Sequence, residues 1–175
     1  LKPRASGLYN PPMSLLLVSS DRFGHHLTPP GHPERPERAQ VLDAVATAWR
    51  KGGGEVAPPR LATQEELTAV HDADYVDEVA ATTGRATMLD PDTFTSPESY
   101  ELARLAAGAV LVGIAHTLAD RGPALALVRP PGHHAERGKA MGFCLFNNVA
   151  VGAAYARARG VARVAIMDFD VHHGN

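Results

Sequence analysis

Apolar positions in this chain come in short runs separated by proline- and glycine-broken polar stretches, and the spacing within each run predicts an element. Leu15-Leu16-Leu17-Val18 has the length of a first buried strand. Ser19 to Pro33 must be loop, because its prolines and glycines punctuate any regular structure. Glu37 opens a helix with Val41, Leu42, Val45 and Trp49 on one stripe, ended by Gly52-Gly53-Gly54. Thr63-Gln64-Glu65-Glu66 has the pattern of a capping box ahead of Leu67 and Val70. Asp72 is placed to cap a further helix that closes near Gly84. Asp90 to Thr95 reads as a turn-rich loop, after which Ser96 and Pro97 form a start signal for a long helix. That helix carries Leu102, Leu105, Val110, Val112 and Ile114 around much of its circumference, which predicts packing on more than one side. Leu125 to Val128 is a second buried strand, followed by a polar loop to Asn148 and a helix through Tyr155 stopped by Gly160. Arg163-Val164-Ala165-Ile166-Met167 is a third. Strand, helix and strand at this spacing form a βαβ unit, so the expected class is α/β, with a parallel sheet flanked by helices.

Composition narrows this picture. At 175 residues the chain can form one domain with a core, or part of one. Its formal net charge of −2 gives no electrostatic case for nucleic acid or a membrane surface. One cysteine, Cys144, leaves no intrachain disulfide framework and suits a reducing, cytoplasmic setting. The longest uncharged apolar stretch, Leu105 to Ala119, is short for a bilayer span. Residues 1–12 lack the apolar centre of a signal peptide and read as a disordered extension, with Met13 a candidate natural start and residues 13–175 the domain portion.

Chemistry concentrates in two places. The 163–167 run leads straight into Asp168-Phe169-Asp170-Val171-His172-His173-Gly174-Asn175. In extended backbone Asp168, Asp170 and His172 project to one face at steps of roughly 6.6 Å, close enough to converge on one ion. Carboxylate oxygen and imidazole nitrogen are ordinary ligands for a zinc-like cation. A lone Asp or His after a strand is ordinarily surface polarity; two acids and two histidines within six residues argue for a site.

The second place is Arg129-Pro130-Pro131-Gly132-His133-His134-Ala135, which follows the preceding strand directly. Loops after neighbouring parallel strands emerge at one sheet edge, so the tandem histidines are expected beside the Asp/His cluster. An imidazole can take a proton from water when a carboxylate fixes its tautomer, and Asp168 is a suitable partner. Gly142 would allow close backbone approach and Phe143 could wall a narrow channel, while Cys144 reads as a packing residue. His25, His26 and His71 read as loop or capping histidines. The charges around His32-Pro33-Glu34-Arg35-Pro36-Glu37-Arg38 read as a solvated helix start, with one arginine reaching inward.

R-P-P-G-H-H-A, G-F-C-x-F-N-N and D-F-D-V-H-H-G-N, in this order, closely resemble the zinc-dependent histone deacetylase and acetylpolyamine amidohydrolase superfamily. The R-P-P start and Asn175 resemble its class II and bacterial members, and H-P-E-R-P-E-R, V-H-D-A-D-Y-V and the D-x-x-x-S-P loop extend the match from about Leu15 to the end. The resemblance implies the arginase–deacetylase fold and hydrolysis of an acetyl amide on a lysine side chain or polyamine. It makes Asp170 and His172 zinc ligands and His133 and His134 the proton-handling pair, with Asp168 orienting His133. Asp168, with main-chain oxygens of Asp170 and His172, would form a potassium site. Asn175 stands where many members have an aspartate partnering the second histidine, so His134 would hold a proton less readily. Phe143 becomes a wall of the acyl-lysine tunnel, Gly142 a backbone contact to substrate, Asp92 the rim acid that grips its amide, and Arg38 the arginine of an inner acetate channel.

The family also uses a further aspartate ligand, a second tunnel wall and usually a carbonyl-polarising tyrosine, which no residue here matches. The resemblance therefore implies the N-terminal portion of such a domain, with a sheet incomplete on its C-terminal side. Two rivals stand beside this reading. A two-metal ureohydrolase relative would carry D-A-H-x-D, which is absent. A non-catalytic fragment or pseudoenzyme would keep the motifs without the full ligand set.

Overall fold

The computed structural model describes residues 15–175; the expected extension at 1–12 and the candidate start at Met13 lie outside them. Its frame is a parallel sheet of β1 (Leu16–Ser19), β2 (Val56–Ala57) and β5 (Ala124–Leu127), in the order β2-β1-β5. β1 is central and its Leu16, Leu17 and Val18 are buried, which matches a short run that faces helices on both sides. Leu17 stands opposite Val56 on one side and Leu125 on the other. A separate antiparallel hairpin pairs β3 (Thr87–Asp90) with β4 (Thr93–Thr95). The segment read as a loop is therefore a hairpin, with Pro91 and Asp92 at its turn and the small hydroxyls Thr93 and Thr95 pointing inward.

The helices are α1 (Glu37–Lys51), α2 (Gln64–Thr68), α3 (Ala73–Ala80), α4 (Ser99–Leu118) and α5 (Asn148–Ala158). α4 is the central one. It packs against β1, β5 and α5, and its small residues permit close approach: a Cβ on Gly108 would lie 1.7 Å from the Arg60 carbonyl oxygen. Among the described residues it is the one helix long and apolar enough to cross a membrane by length and composition, and these contacts account for that apolarity. It begins at Ser99, two residues after Pro97, because the Ser96 amide donates to Ser99 Oγ at 2.7 Å and that turn precedes the helix. The capping box of α2 is formed, with Thr63 and Glu66 bonding reciprocally at 2.9 and 3.1 Å. Asp72 occupies the N-cap of α3, but its carboxylate turns away to Arg137 at 2.7 Å.

Three expectations fail for identifiable reasons. The apolar stripe of α1 has the right period and the wrong face: Val41 is 65% exposed, whereas Ala39 and Ala46 are buried. α1 meets β1 and the 3₁₀ turn Asp21–His25, and the side chains it buries are the alanines Ala39 and Ala46. Arg163–Met167 forms no strand and is exposed, Met167 to 89%. It has no ladder partner among the described residues, and an extended segment alone cannot satisfy its own N–H and C=O groups. β5 is consequently an edge strand, with Leu125 half exposed instead of buried. Near α1, neither Arg35 nor Arg38 reaches inward; the buried member of that segment is the acid Glu34.

Two buried histidines tie loops to this frame. His26 Nδ1 meets Ser99 Oγ at 2.7 Å, and burial, reinforced by the nearby Arg129 charge, pushes its pKa down to about 3. His71 Nδ1–H donates to the Glu136 carbonyl at 2.9 Å while Nε2 accepts the Asn147 amide at 2.9 Å, and burial holds it below the ordinary imidazole range. Both fold in the neutral form, so a proton favours the unfolded chain. The stability they contribute is complete above about pH 6.5, the unfolded histidine value, and is lost as pH falls below it. Unfolding free energies from urea titrations measured downward from pH 7.5 should decline, with a slope approaching about 1.4 kcal/mol per pH unit from His26 and a further contribution of the same sign from His71. His26→Leu should remove one histidine's share of that slope.

Candidate active site

The 20-residue connection from Arg129 to Asn148 builds one wall of the site, and several close contacts fix its course. Arg129 leaves the end of β5 and is buried. At Gly132 the backbone presses on the start of α5, where a Cβ would lie 2.6 Å from the Asn148 amide nitrogen and 2.7 Å from the Phe146 carbonyl oxygen. Gly142, at φ 55°, lies beneath His134, and a Cβ there would come within 2.4 Å of its ring. Tyr75 donates its hydroxyl hydrogen to the Leu145 carbonyl at 2.5 Å, and Asn147 caps α5 by accepting the Ala150 amide at 3.0 Å. The histidine pair is thus set on a loop whose neighbours leave it little room.

The other wall is the segment after Ile166. His133 Nδ1 is 2.8 Å from Asp168 Oδ2, and His134 Nδ1 is 3.4 Å from Asn175 Oδ1. The two imidazoles lie 4.0 Å apart between centroids, and His172 is 6.1 Å from His134 on the same scale. The Asn175 amide donates to the His133 carbonyl at 3.0 Å. Gly174 lets this crossing occur, because a Cβ there would lie 2.8 Å from Asp168 Oδ2. The carboxyl of Asp168 is held below the usual carboxylate range by the hydrogen bond from His133, then by the Asp170 amide on its other oxygen at 3.0 Å. Asp170 is lowered likewise, chiefly by the His172 backbone N–H at 2.8 Å.

These walls enclose an open cavity of about 740 Å³ whose lining includes His133, Asp168, Asp170, His172 and Asn175. Asp170 Oδ1 and His172 Nδ1 stand 3.2 Å apart, a carboxylate oxygen and an imidazole nitrogen of the types that hold a zinc-like ion. No third His, Cys, Asp or Glu joins them in a metal-holding group among the described residues. Two donors fit the ion in kind and fall short of a catalytic set in number.

Of the remaining candidates, Phe143 and Asp92 meet through intermediaries. The Phe143 amide donates to Thr93 Oγ1 at 3.0 Å, in a backbone turn with φ 69°. His32 stands edge-on to Phe143 at 4.8 Å and to Phe94 at 5.4 Å. Its Nδ1 accepts the Glu34 amide, so Nε2 carries the hydrogen and donates to the Asp92 carbonyl at 3.0 Å. Arg38 is not part of this cluster: it borders a separate cavity of about 330 Å³ with Glu34, Leu42, Val128, Arg129 and Pro131. Cys144 is fully buried and its thiol is pushed up to about 12 by desolvation, the environment of an inert packing residue. Sequence reasoning missed His32, Thr93, Glu34 and Arg129 as participants. A polar residue beside a motif gives no local sign of a partner some fifty to a hundred positions away.

The histone deacetylase domain family model matches residues 32–175. A probable deacetylase of Methanothermobacter thermautotrophicus is 36% identical over 168 residues, covering 92% of this chain and 48% of that protein. A histone deacetylase-like amidohydrolase of Pseudomonas aeruginosa is 42% identical over 151 residues, covering 83% of this chain and 39% of that one. The crystal structure of the HDA15 HD domain superposes with a TM-score of 0.86 at 39% identity, over 93% of this chain and 48% of that domain chain. The chain spans about half the length of such relatives, or less.

The close approach at Gly132 is testable. Gly132→Ala should cost about 1–3 kcal/mol in urea denaturation, the scale of overpacking against atoms that cannot retreat. Gly138→Ala, whose Cβ would meet only the flexible Asp72 carboxylate at 3.3 Å, should change the midpoint little.

Proposed function

Because the chain belongs to the histone deacetylase domain family, we propose that it carries the proton-handling wall of a zinc-dependent amidohydrolase that cleaves an acetyl amide on a lysine side chain or polyamine. The observation that carries this reading is the His133–Asp168 contact at 2.8 Å, with His134 alongside and Asp170 and His172 lining the same cavity.

The division of labour follows from the partners. Asp168 accepts from His133 Nδ1–H, which leaves Nε2 as the nitrogen that takes a proton from water. A carboxylate stabilises the resulting positive ring, whereas the Asn175 amide oxygen facing His134 carries no charge. The proton is accordingly held on His133 and passed to the departing amine. Asp170 and His172 would provide two ligands for zinc, which supplies carbonyl polarisation and a water acidic near neutrality. Asp168 and the main-chain oxygens of Asp170 and His172 would hold potassium. Phe143 would flank the acyl chain, Gly142 would offer its backbone, and Asp92 would grip the substrate amide from the hairpin turn. Arg38, beside its own cavity, would meet the released acetate.

A second reading is favoured by one observation, the absence of a third metal donor among the described residues. On that reading the 175 residues bind metal weakly and do no chemistry themselves. Zinc titration by calorimetry together with acetyl-lysine peptide hydrolysis separates the two. In a version that spans the full length of the relatives, the amidohydrolase reading expects zinc-dependent release of acetate, lowered about 100-fold or more by His133→Ala and abolished by Asp170→Ala or by chelation. Turnover unchanged in both variants, or no turnover with zinc bound, would defeat it.

A further inference from the structure

One fully buried ion pair lies outside the Asp/His cluster. Arg129 is 2% exposed and Glu34 0%. The guanidinium makes a two-pronged contact, Nε to Glu34 Oε1 and Nη2 to Oε2, both at 2.6 Å. Two more of its donors bond the backbone: Nη1 donates to the Phe23 carbonyl at 2.7 Å and Nη2 to the His26 carbonyl at 2.9 Å. His26 Nε2 stands 3.7 Å from Glu34 Oε2, the oxygen that Arg129 Nη2 also meets.

A buried pair of this kind is a weak source of net stability, because desolvating two charges offsets most of their attraction. Its geometric effect is larger. Planar fork meets planar carboxylate, so position and orientation are both fixed. The fixed residue is the first of the connection that carries the histidines. Between Arg129 and His133 stand Pro130 and Pro131, whose rings lock φ, and Gly132, wedged against Asn148 and Phe146. Such a segment has little slack, and a displacement at Arg129 reaches His133. There the tolerance is small, since a 2.8 Å contact to Asp168 is lost within an ångström.

We propose that Glu34 and Arg129 are positioning residues for the paired histidines: their ion pair sets where the 129–133 segment leaves β5 and thereby holds the His133 ring against Asp168. The functional meaning rests on the reading of His133 as a proton carrier, whereas the positioning role is measurable without turnover.

The probe is the His133 Nδ1–H proton, followed by NMR on the full chain carrying ¹⁵N-labelled histidine. Arg129→Lys keeps the charge and loses the fork, and Glu34→Asp keeps the charge and shortens the reach by one methylene. In either folded variant this proton should exchange with solvent about tenfold faster or more, the scale of one hydrogen bond to a charged group. An unchanged far-ultraviolet circular dichroism spectrum serves as the check on folding. Should both variants unfold, Glu34→Gln combined with Arg129→Met removes both charges together and is read in the same way. A purely structural role predicts lower melting temperatures with an unchanged His133 exchange rate, and that result overturns the proposal. If the parent hydrolyses acetyl amides, the same variants should lower kcat with KM nearly constant. If the parent hydrolyses none, the exchange rates still decide the positioning role.

Discussion

A buried polar group has to find a partner inside the protein, and the 129–148 connection is shaped by that requirement. It runs inward from the end of β5, where an ordinary loop would leave its carbonyls and amides in water. Several groups are met from outside the loop: the Arg129 guanidinium by Glu34, the Glu136 carbonyl and Asn147 amide by the two nitrogens of His71, and the Leu145 carbonyl by Tyr75. Within the loop, the Pro130 carbonyl is met by the Asn148 side chain at 3.3 Å. The partners come from the loop before α1, from α3 and its approach, and from α5, so much of the chain is committed to holding this one connection.

That commitment explains why the interior holds so many ionisable groups. Glu34, His26, His71 and Arg129 are all buried, and each is paired where water is excluded. Neutral histidine suits the task better than a charged residue, since it can donate on one nitrogen and accept on the other. His71 does so between Glu136 and Asn147, and His32 does so between Glu34 and Asp92. One exception remains in α4, where buried His116 Nε2 has no partner among the described residues. Nothing in the structure explains it.

What could be read in the sequence follows the same division. Local signals were faithful: the Thr63 capping box, the glycine stop after α1, the all-round apolarity of α4 and the central β1 all follow from residues within a turn or two of one another. The motifs identified the family for the same reason, since R-P-P-G-H-H-A and D-F-D-V-H-H-G-N are contiguous. Features that depend on a distant partner were hidden. The side of α1 that meets the sheet is decided by how closely β1 approaches, and hydrophobicity alone chose the wrong stripe. The 163–167 run has strand composition, yet a ladder needs a neighbour that no local pattern supplies. Glu34 looked like a solvated helix start because Arg129 stands 95 positions away.

The unpaired course of 163–171 changes how the site is held together. A segment fixed in a sheet would bring Asp168, Asp170 and His172 to their places by backbone pairing, independent of the opposite loop. Here Val164, Ile166, Met167, Phe169 and Val171 are exposed, Phe169 to 95%, so packing contributes little. The ties to the body of the protein are polar: Asp168 to the His133 ring, Asn175 to the His133 carbonyl and to His134 Nδ1, and the Asn175 side-chain amide to Glu136 at 3.2 Å and to Met141 Sδ at 3.0 Å. Two of these end on His133. The imidazole that would carry the proton is therefore also an anchor for the carboxylate that orients it. Precision at His133 has to come from its own side of the cavity, where the proline-stiffened turn and the buried fork stand behind the ring.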